Sequence, residues 1–253
     1  MEAPGFKFVY GKAALLSEGT LAVADLHVGL EAELEGKGLR VSGVVEGMKR
    51  ELFGLVREEK PERLVIIGDV KHAIRGAGEM ESASARELLS GLSELAEVVV
   101  VPGNHDSGLA VPGKRVRLGA SGGVRIGETA FCHGHAAVSP ELLEADALVI
   151  GHVHPSIDAV NERGERTVER AWVVAEADER ALLAKFPSAN PGIRLVVMPA
   201  FNPLVGGTPL NRRGKAGLAG PVLSSGIFKW TDGEIFLLDG TGLGSISSVK
   251  ANV

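Results

Sequence analysis

The chain has 253 residues, of which 45% are hydrophobic and 23% charged, with a formal net charge of −5. That is enough for one large α/β domain with a substantial core, and the composition is that of an ordinary globular protein. The acidic balance offers no general attraction to nucleic acid or acidic membranes, Cys132 alone can form no intramolecular disulfide, and no apolar stretch approaches the roughly 20 residues of a membrane span.

The opening Met1-Glu2-Ala3-Pro4-Gly5 has neither the basic nor the apolar segment of a signal peptide, so a cytoplasmic protein is expected. The first strand-like run is Leu21 to Ala24. Val44 to Glu59 carries apolar residues at Val44, Val45, Met48, Leu52, Leu55 and Val56, close to a helical period, and Pro61 closes the segment. Leu64 to Ile67 is the next strand. Glu79 to Ala96, with Leu88, Leu89, Leu92 and Leu95 on one side, is the next helix, and Val98 to Val101 the strand after it. Ala130 to Cys132 and Ala147 to Ile150 are again strand-like. Between them Ser139-Pro140-Glu141 opens a short helix with a cap residue and a proline at its first position. Strands separated by helices imply crossover connections and a largely parallel sheet. The C-terminal third differs. Leu195 to Met198, Val222 to Ile227 and Glu234 to Leu238 read as β, with turns at Asn190-Pro191-Gly192 and Asp232-Gly233, and are expected to form a second sheet packed on the first. No repeat, heptad or linker divides the chain, so residues 1–253 are read as a single domain.

All seven histidines fall in five motifs, each following one of these apolar runs: Asp25-Leu26-His27, Gly68-Asp69-Val70-Lys71-His72, Gly103-Asn104-His105-Asp106, His133-Gly134-His135 and Gly151-His152-Val153-His154. Ligands delivered from several strand ends to one sheet edge make a metal site, and the carboxyl edge of an α/β sheet is where ligands bind. In an extended strand residues i and i+2 point the same way, which pairs Asp25 with His27 and His152 with His154. Gly68 lets the backbone turn sharply and present Asp69. Carboxylate and imidazole together suit Mn, Fe, Zn or Co better than Ca. Asp25, His27, Asp69, Asn104, His133, His152 and His154 are too many ligands for one tetrahedral ion and suit two ions that share a bridging carboxylate. Two ions roughly 3.5–4 Å apart can generate hydroxide and clamp both oxygens of a displacement at phosphorus.

The ordered series Asp-x-His, Gly-Asp, Gly-Asn-His-Asp, His-Gly-His and Gly-His-x-His, over about residues 20 to 155, resembles the calcineurin-like metallophosphoesterase superfamily. Ala24-Asp25-Leu26-His27-Val28-Gly29, Gly68 to His72 and Pro199-Ala200-Phe201-Asn202-Pro203 resemble its archaeal ICC-like branch, which also includes bacterial phosphoesterases associated with DNA ligase. The resemblance implies an α/β fold of the metallophosphoesterase type, a β-sandwich of two mixed sheets flanked by helices. It implies that Asp25, His27, Asp69 and His154 hold one divalent ion and that Asp69, Asn104, His133 and His152 hold the other, with Asp69 bridging. Mn is the expected metal, with Fe, Zn, Co or Ni as alternatives. By the same resemblance His105 assists the departing oxygen and Asp106 orients it. Lys71 and His72 depart from the commonest pattern after Gly68-Asp69. Together with His135 and Asn202 they are candidate substrate contacts.

The expected function is hydrolysis of a phosphodiester or phosphomonoester by in-line attack of a hydroxide bridging two metals. A phosphorylated small molecule, a nucleotide or a nucleic-acid end would be the substrate. No membrane partner is expected, and oligomerisation is left open. The alternative is a non-catalytic scaffold of the same fold that binds partners; His105 beside a full ligand set favours the enzyme. A metal-dependent amide or lactam hydrolase would use similar ligands, but Gly103-Asn104-His105-Asp106 matches phosphoester chemistry. Each single residue has a plainer rival as a turn, cap or core residue, and for Cys132 the core is preferred. Arg212, Arg213 and Lys215 either meet a phosphate or lie in a solvated loop. Specificity is expected in the loops Glu31 to Ser42 and Arg75 to Glu79, and the scarcity of aromatic residues argues against tight nucleic-acid binding.

Overall fold

The structure is a computed structural model and describes residues 2–3, 5–74, 78–160, 163–212 and 220–249. Uninterrupted runs of Leu, Ile and Val make strands that are buried on both faces, as at residues 64–67, 98–101, 148–150 and 195–197. The strands are β1 (Glu2–Ala3), β2 (Phe6–Phe8), β3 (Ala14–Ser17), β4 (Thr20–Ala24), β5 (Arg63–Ile67), β6 (Glu97–Val101), β7 (Val116–Leu118), β8 (Val124–Ile126), β9 (Thr129–Cys132) and β10 (Ala147–Ile150). They continue with β11 (Pro155–Val160), β12 (Arg166–Glu176), β13 (Arg194–Val197), β14 (Thr208–Pro209), β15 (Glu234–Leu237) and β16 (Gly242–Ser245). The helices are α1 (Leu30–Gly36), α2 (Val44–Glu59), α3 (Glu79–Leu95), α4 (Glu179–Lys185) and α5 (Gly220–Ser224), with a 3₁₀ turn at Pro140–Glu144.

Among the described residues the strands form two mixed sheets. The first runs β1-β2-β3-β4-β5-β6-β7 in space, antiparallel as far as β4 and parallel beyond it. The second runs β14-β11-β12-β13-β10-β9-β8, with β9, β10 and β13 parallel and β15 and β16 attached alongside β12. Alternate residues of each strand serve different cores. Ala22, Ala24, Val65, Ile67, Val99 and Val101 of the first sheet pack on Phe131, Val149, Trp172 and Val196 of the second. Their neighbours Leu21, Val23, Leu64, Ile66, Val98 and Val100 face outward onto Met48, Leu52 and Leu55 of α2 and Leu88, Leu89 and Leu92 of α3. The outer face of the second sheet is covered by Leu142 and Leu143, by Leu182 of α4 and by Val222 and Leu223 of α5. The result is a sandwich flanked by helices.

Register decides where the site forms. Ala24, Ile67 and Val101 stand level across β4, β5 and β6. Cys132, Ile150 and Val197 stand level across β9, β10 and β13. Parallel strands of both sheets therefore stop at one height, and their carboxyl-end loops meet over the seam of the sandwich.

Three expectations are corrected. Ala130 to Cys132 and Ala147 to Ile150 belong to the second sheet, so the site spans two sheet edges rather than one; a run buried on both faces reads alike in either sheet. Val222 to Ile227 is not a strand. Pro221 sits in the first turn of α5, and the hydroxyls of Ser224 and Ser225 bond back to the carbonyls of Pro221 and Val222, a local pairing that competes with a ladder. The first half of the loop expected at Glu31 to Ser42 is helical, belonging to α1. Of the segment Arg75 to Glu79, residues 75–77 lie outside the described residues, as do Arg213 and Lys215. No described helix is long and apolar enough to cross a membrane.

Candidate metal centre

The site is built from loops that begin where β4, β5, β6, β9 and β10 end. Asp25 and His27 follow β4, Asp69 follows β5, Asn104 and His105 follow β6, His133 follows β9, and His152 and His154 follow β10. Extended-strand alternation does not place them. Asp25 (φ 58°), His27 (42°), Asp69 (45°), His152 (68°) and His154 (48°) all adopt left-handed backbone, which non-glycine residues rarely do. The ladders have stopped at Ala24 and Ile150, and each left-handed residue coils the chain back over the seam. The β4 and β5 loops then zip together: the amides of His27 and Val28 donate to the carbonyls of Asp69 and Val70, both at 2.8 Å.

Asp69 lies at the centre. Its Oδ2 is 3.3 Å from His133 Nε2, 3.6 Å from His27 Nε2 and 3.8 Å from His105 Nε2, and its Oδ1 accepts from the His105 amide at 2.9 Å. Asp25 Oδ1 is 3.3 Å from His154 Nε2 and 3.7 Å from His133 Nδ1, while Oδ2 accepts from the His152 amide at 3.1 Å. Asn104 Oδ1 is 3.3 Å from His133 Nε2. The donor atoms of Asp25, His27 and His154 lie within 4.8 Å of one another, as do those of Asp69, His133 and His152. Two buried nitrogens, His27 Nε2 and His154 Nε2, have no hydrogen-bond partner in the protein. Buried polar atoms are rarely left so, and lone pairs aimed into a carboxylate-lined hollow suit a borderline-hard divalent cation. The residues fit such a group.

Electrostatics separate the imidazoles. Burial holds His27 and His152 down to about 4, against the pull of Asp25 and Asp69. Burial acts on His133 too, but its hydrogen bond to Asp69 and the charges of Asp25 and Asp69 outweigh it, and the ring is shifted up. At His154 burial is outweighed chiefly by the negative charge of Asp25, and that ring is shifted up as well. Burial opposes ionisation of Asp69, yet the His133 hydrogen bond, the His133 charge and the His105 amide hold its carboxyl well below the usual range.

The remaining candidates take different places. Asp106 was expected to orient His105. Its carboxylate instead accepts from the amides of Val70 at 2.9 Å, Lys71 at 3.4 Å and Gly103 at 2.9 Å, tying two site loops together. The His105 ring is held through Nδ1 by the His72 carbonyl. Asn202 is fully buried and clamped on both sides, donating to Leu26 O at 2.8 Å and accepting from Leu204 N at 2.9 Å. Lys71 is buried, with Nζ donating to Ala73 O at 2.5 Å. His135 stands 5.1 Å from the His133 ring and 6.2 Å from that of His152, with Nδ1 unpartnered and its pKa lowered by burial. Arg212 pairs with Asp158 on the surface. Glu33 of α1 and Glu81 of α3 were not singled out from the sequence. Glu33 bonds His72 Nε2 at 2.8 Å, and Glu81 accepts from the amides of His72 and Ala73 at 2.7 and 2.8 Å. The one trace of this in the sequence is Gly29, where a Cβ would come within 2.6 Å of Glu81 Cδ.

No protein-family model matches the chain, and comparison with curated proteins gives no match. Among solved structures the chain is similar to the crystal structure of Pseudomonas putida nuclease MPE, with a TM-score of 0.58 at 18% sequence identity over 93% of this chain and 94% of that one. It is also similar to Yfce, a phosphoesterase from E. coli, with a TM-score of 0.38 at 19% identity over 75% of this chain and 84% of that one. The likeness to the Pseudomonas structure is one of fold.

Proposed function

We propose that the chain is a metal-dependent phosphoesterase of the metallophosphoesterase type that binds two divalent transition-metal ions, Mn first among them. One observation carries this reading: Asp69 Oδ2 stands between two groups of ligands, within 3.6 Å of His27 on one side and 3.3 Å of His133 on the other. Asp25, His27 and His154 with Asp69 make one site. Asn104, His133 and His152 with Asp69 make the other. When bound, the ions supply activation of the attacking water and neutralisation of charge on the phosphoryl oxygens.

The chain's own residues do the rest. The His72 carbonyl accepts from His105 Nδ1–H and leaves Nε2 facing the centre, so the ring protonated on both nitrogens can pass its Nε2 proton to the departing oxygen and stay neutral on Nδ1–H. Asp106 holds the Asp69 and His105 loops at a fixed separation through three backbone amides. The substrate is a phosphodiester or phosphomonoester of a small molecule or a nucleic-acid end. The Pseudomonas putida protein of like fold is a nuclease, which puts a phosphodiester first among the substrates to assay.

The test is hydrolysis of a bis-aryl phosphodiester and the matching monoester by metal-stripped protein, with and without Mn. Mn-dependent turnover is expected, and the ratio of the two rates sorts nuclease-like from phosphatase-like specificity. Bound metal without turnover of either ester would turn the reading toward a narrow-specificity enzyme or a partner-binding scaffold. A chain that binds no metal would overturn it.

A further inference from the structure

We infer that His72 is a positioning residue for His27, the middle of a Glu33–His72–His27 relay that fixes which nitrogen His27 offers to a metal. The inference rests on the metal-dependent reading above. His72 Nε2 lies 2.8 Å from Glu33 Oε2, and His72 Nδ1 lies 3.3 Å from His27 Nδ1. The two rings meet edge-on, at 68° with centroids 5.3 Å apart. His27 Nε2, on the far side of its ring, is buried without a partner and faces Asp69 Oδ2 at 3.6 Å.

Proton bookkeeping allows one arrangement of neutral rings. An ionised carboxylate only accepts, so His72 Nε2 carries its proton toward Glu33. His72 Nδ1 is then a lone pair. The facing His27 Nδ1 must supply the proton of that contact, which leaves His27 Nε2 unprotonated and aimed at Asp69. A metal-ligating histidine usually donates its second N–H to a carboxylate or a carbonyl, which sets its tautomer and raises its basicity. Here a second imidazole takes that place and passes on the influence of a carboxylate from another element.

The parts are braced. Glu81 accepts from both the His72 and the Ala73 amides, so α3 fixes the backbone that carries the ring. Lys37, capping the end of α1, bonds the other oxygen of Glu33 at 2.5 Å. Both ring nitrogens of His72 are engaged within this network, which accounts for the residue without a contact to substrate.

The test uses the full chain and three variants, His72→Leu, His72→Gln and Glu33→Gln. The first reading is the ring-nitrogen NMR spectrum of metal-free protein, in which His27 is expected as the Nδ1–H tautomer in the wild type and as a mixture in His72→Leu. The second is calorimetric titration with Zn and with Mn. His72→Leu should weaken binding about 10–100-fold. His72→Gln should recover most of that loss, because its amide oxygen accepts from His27 and its amide nitrogen donates to Glu33. Glu33→Gln should fall between. The relay is overturned if His27 carries its proton on Nε2, or if His72→Leu binds ions as the wild type does. It is also overturned if the wild type takes three ions and His72→Leu two, which would make His72 a ligand. Failure of the wild type to bind any ion, with the tautomer as expected, would sink the metal-dependent reading and leave the hydrogen-bond relay standing.

Discussion

Gly68 has no room for a side chain because of His133: a Cβ at position 68 would lie 2.0 Å from His133 Nδ1 and 2.4 Å from its Cγ. The two residues come from different sheets, so the contact sets how closely the β5 loop and the β9 loop approach. Gly68 also has a φ of 69°. Gly68→Ala is therefore strained in its backbone and overpacked against a buried ring, and should cost about 1–3 kcal/mol. Urea melts of metal-free protein measure the loss, and metal titration should show His133 displaced. Unchanged stability with unchanged metal binding would contradict the packing described.

Metal content should separate the proposed roles of Asp69 and His105. Asp69→Asn should abolish both metal binding and turnover, since its Oδ2 stands between the two ligand groups. His105→Ala should retain metal and lose about 10²–10⁴ in rate, the usual worth of a general acid. Elemental analysis beside the ester assay checks this. Equal metal loss in the two variants would sink the division of labour.

Asn202 is expected to act on stability before turnover. Asn202→Ala leaves the buried Leu26 carbonyl and the Leu204 amide without their partners, which costs about 1–3 kcal/mol. The loop holding Asp25 and His27 loosens with it, so metal affinity should fall as well. A variant of normal stability whose KM alone rises would instead make Asn202 a substrate contact.

Cys132 should be chemically silent in the folded protein. Burial pushes its thiol up to about 12, and only the thiolate reacts. Between pH 7 and about 9 the native chain should therefore consume no thiol reagent, and denatured protein should consume one equivalent. Raising the pH toward the folded-state pKa should bring the native reaction in.

The five motifs told where the chemistry lies, because apolar runs followed by Asp, Asn and His have few other uses. The helices Val44 to Glu59 and Glu79 to Ala96 were legible from period alone and fall at α2 and α3. A second sheet packed on the first was legible in the C-terminal runs, but not that the Ala147 to Ile150 run joins it, since Leu148 and Val149 face opposite cores and no alternation betrays their sheet. Loop conformation was hidden. Nothing in Asp25-Leu26-His27 announces left-handed backbone at both ends, because the coil depends on the β5 loop that zips against it. Glu33 and Glu81 were hidden for a related reason: each is an ordinary helix glutamate until the fold brings it to His72.

The left-handed backbone at Asp25, His27, Asp69, His152 and His154 bears on how such a protein responds to selection. Each position runs against the preference of an L-residue by about 1–2 kcal/mol, and glycine would relieve it. Replacing any of them by glycine would relax the backbone and remove a proposed ligand in the same step. At Asp25 and Asp69 the same change would also strip the His152 and His105 amides of their acceptors, so backbone relief there is set against a lost hydrogen bond. Selection that retains all five must be acting on what the site does.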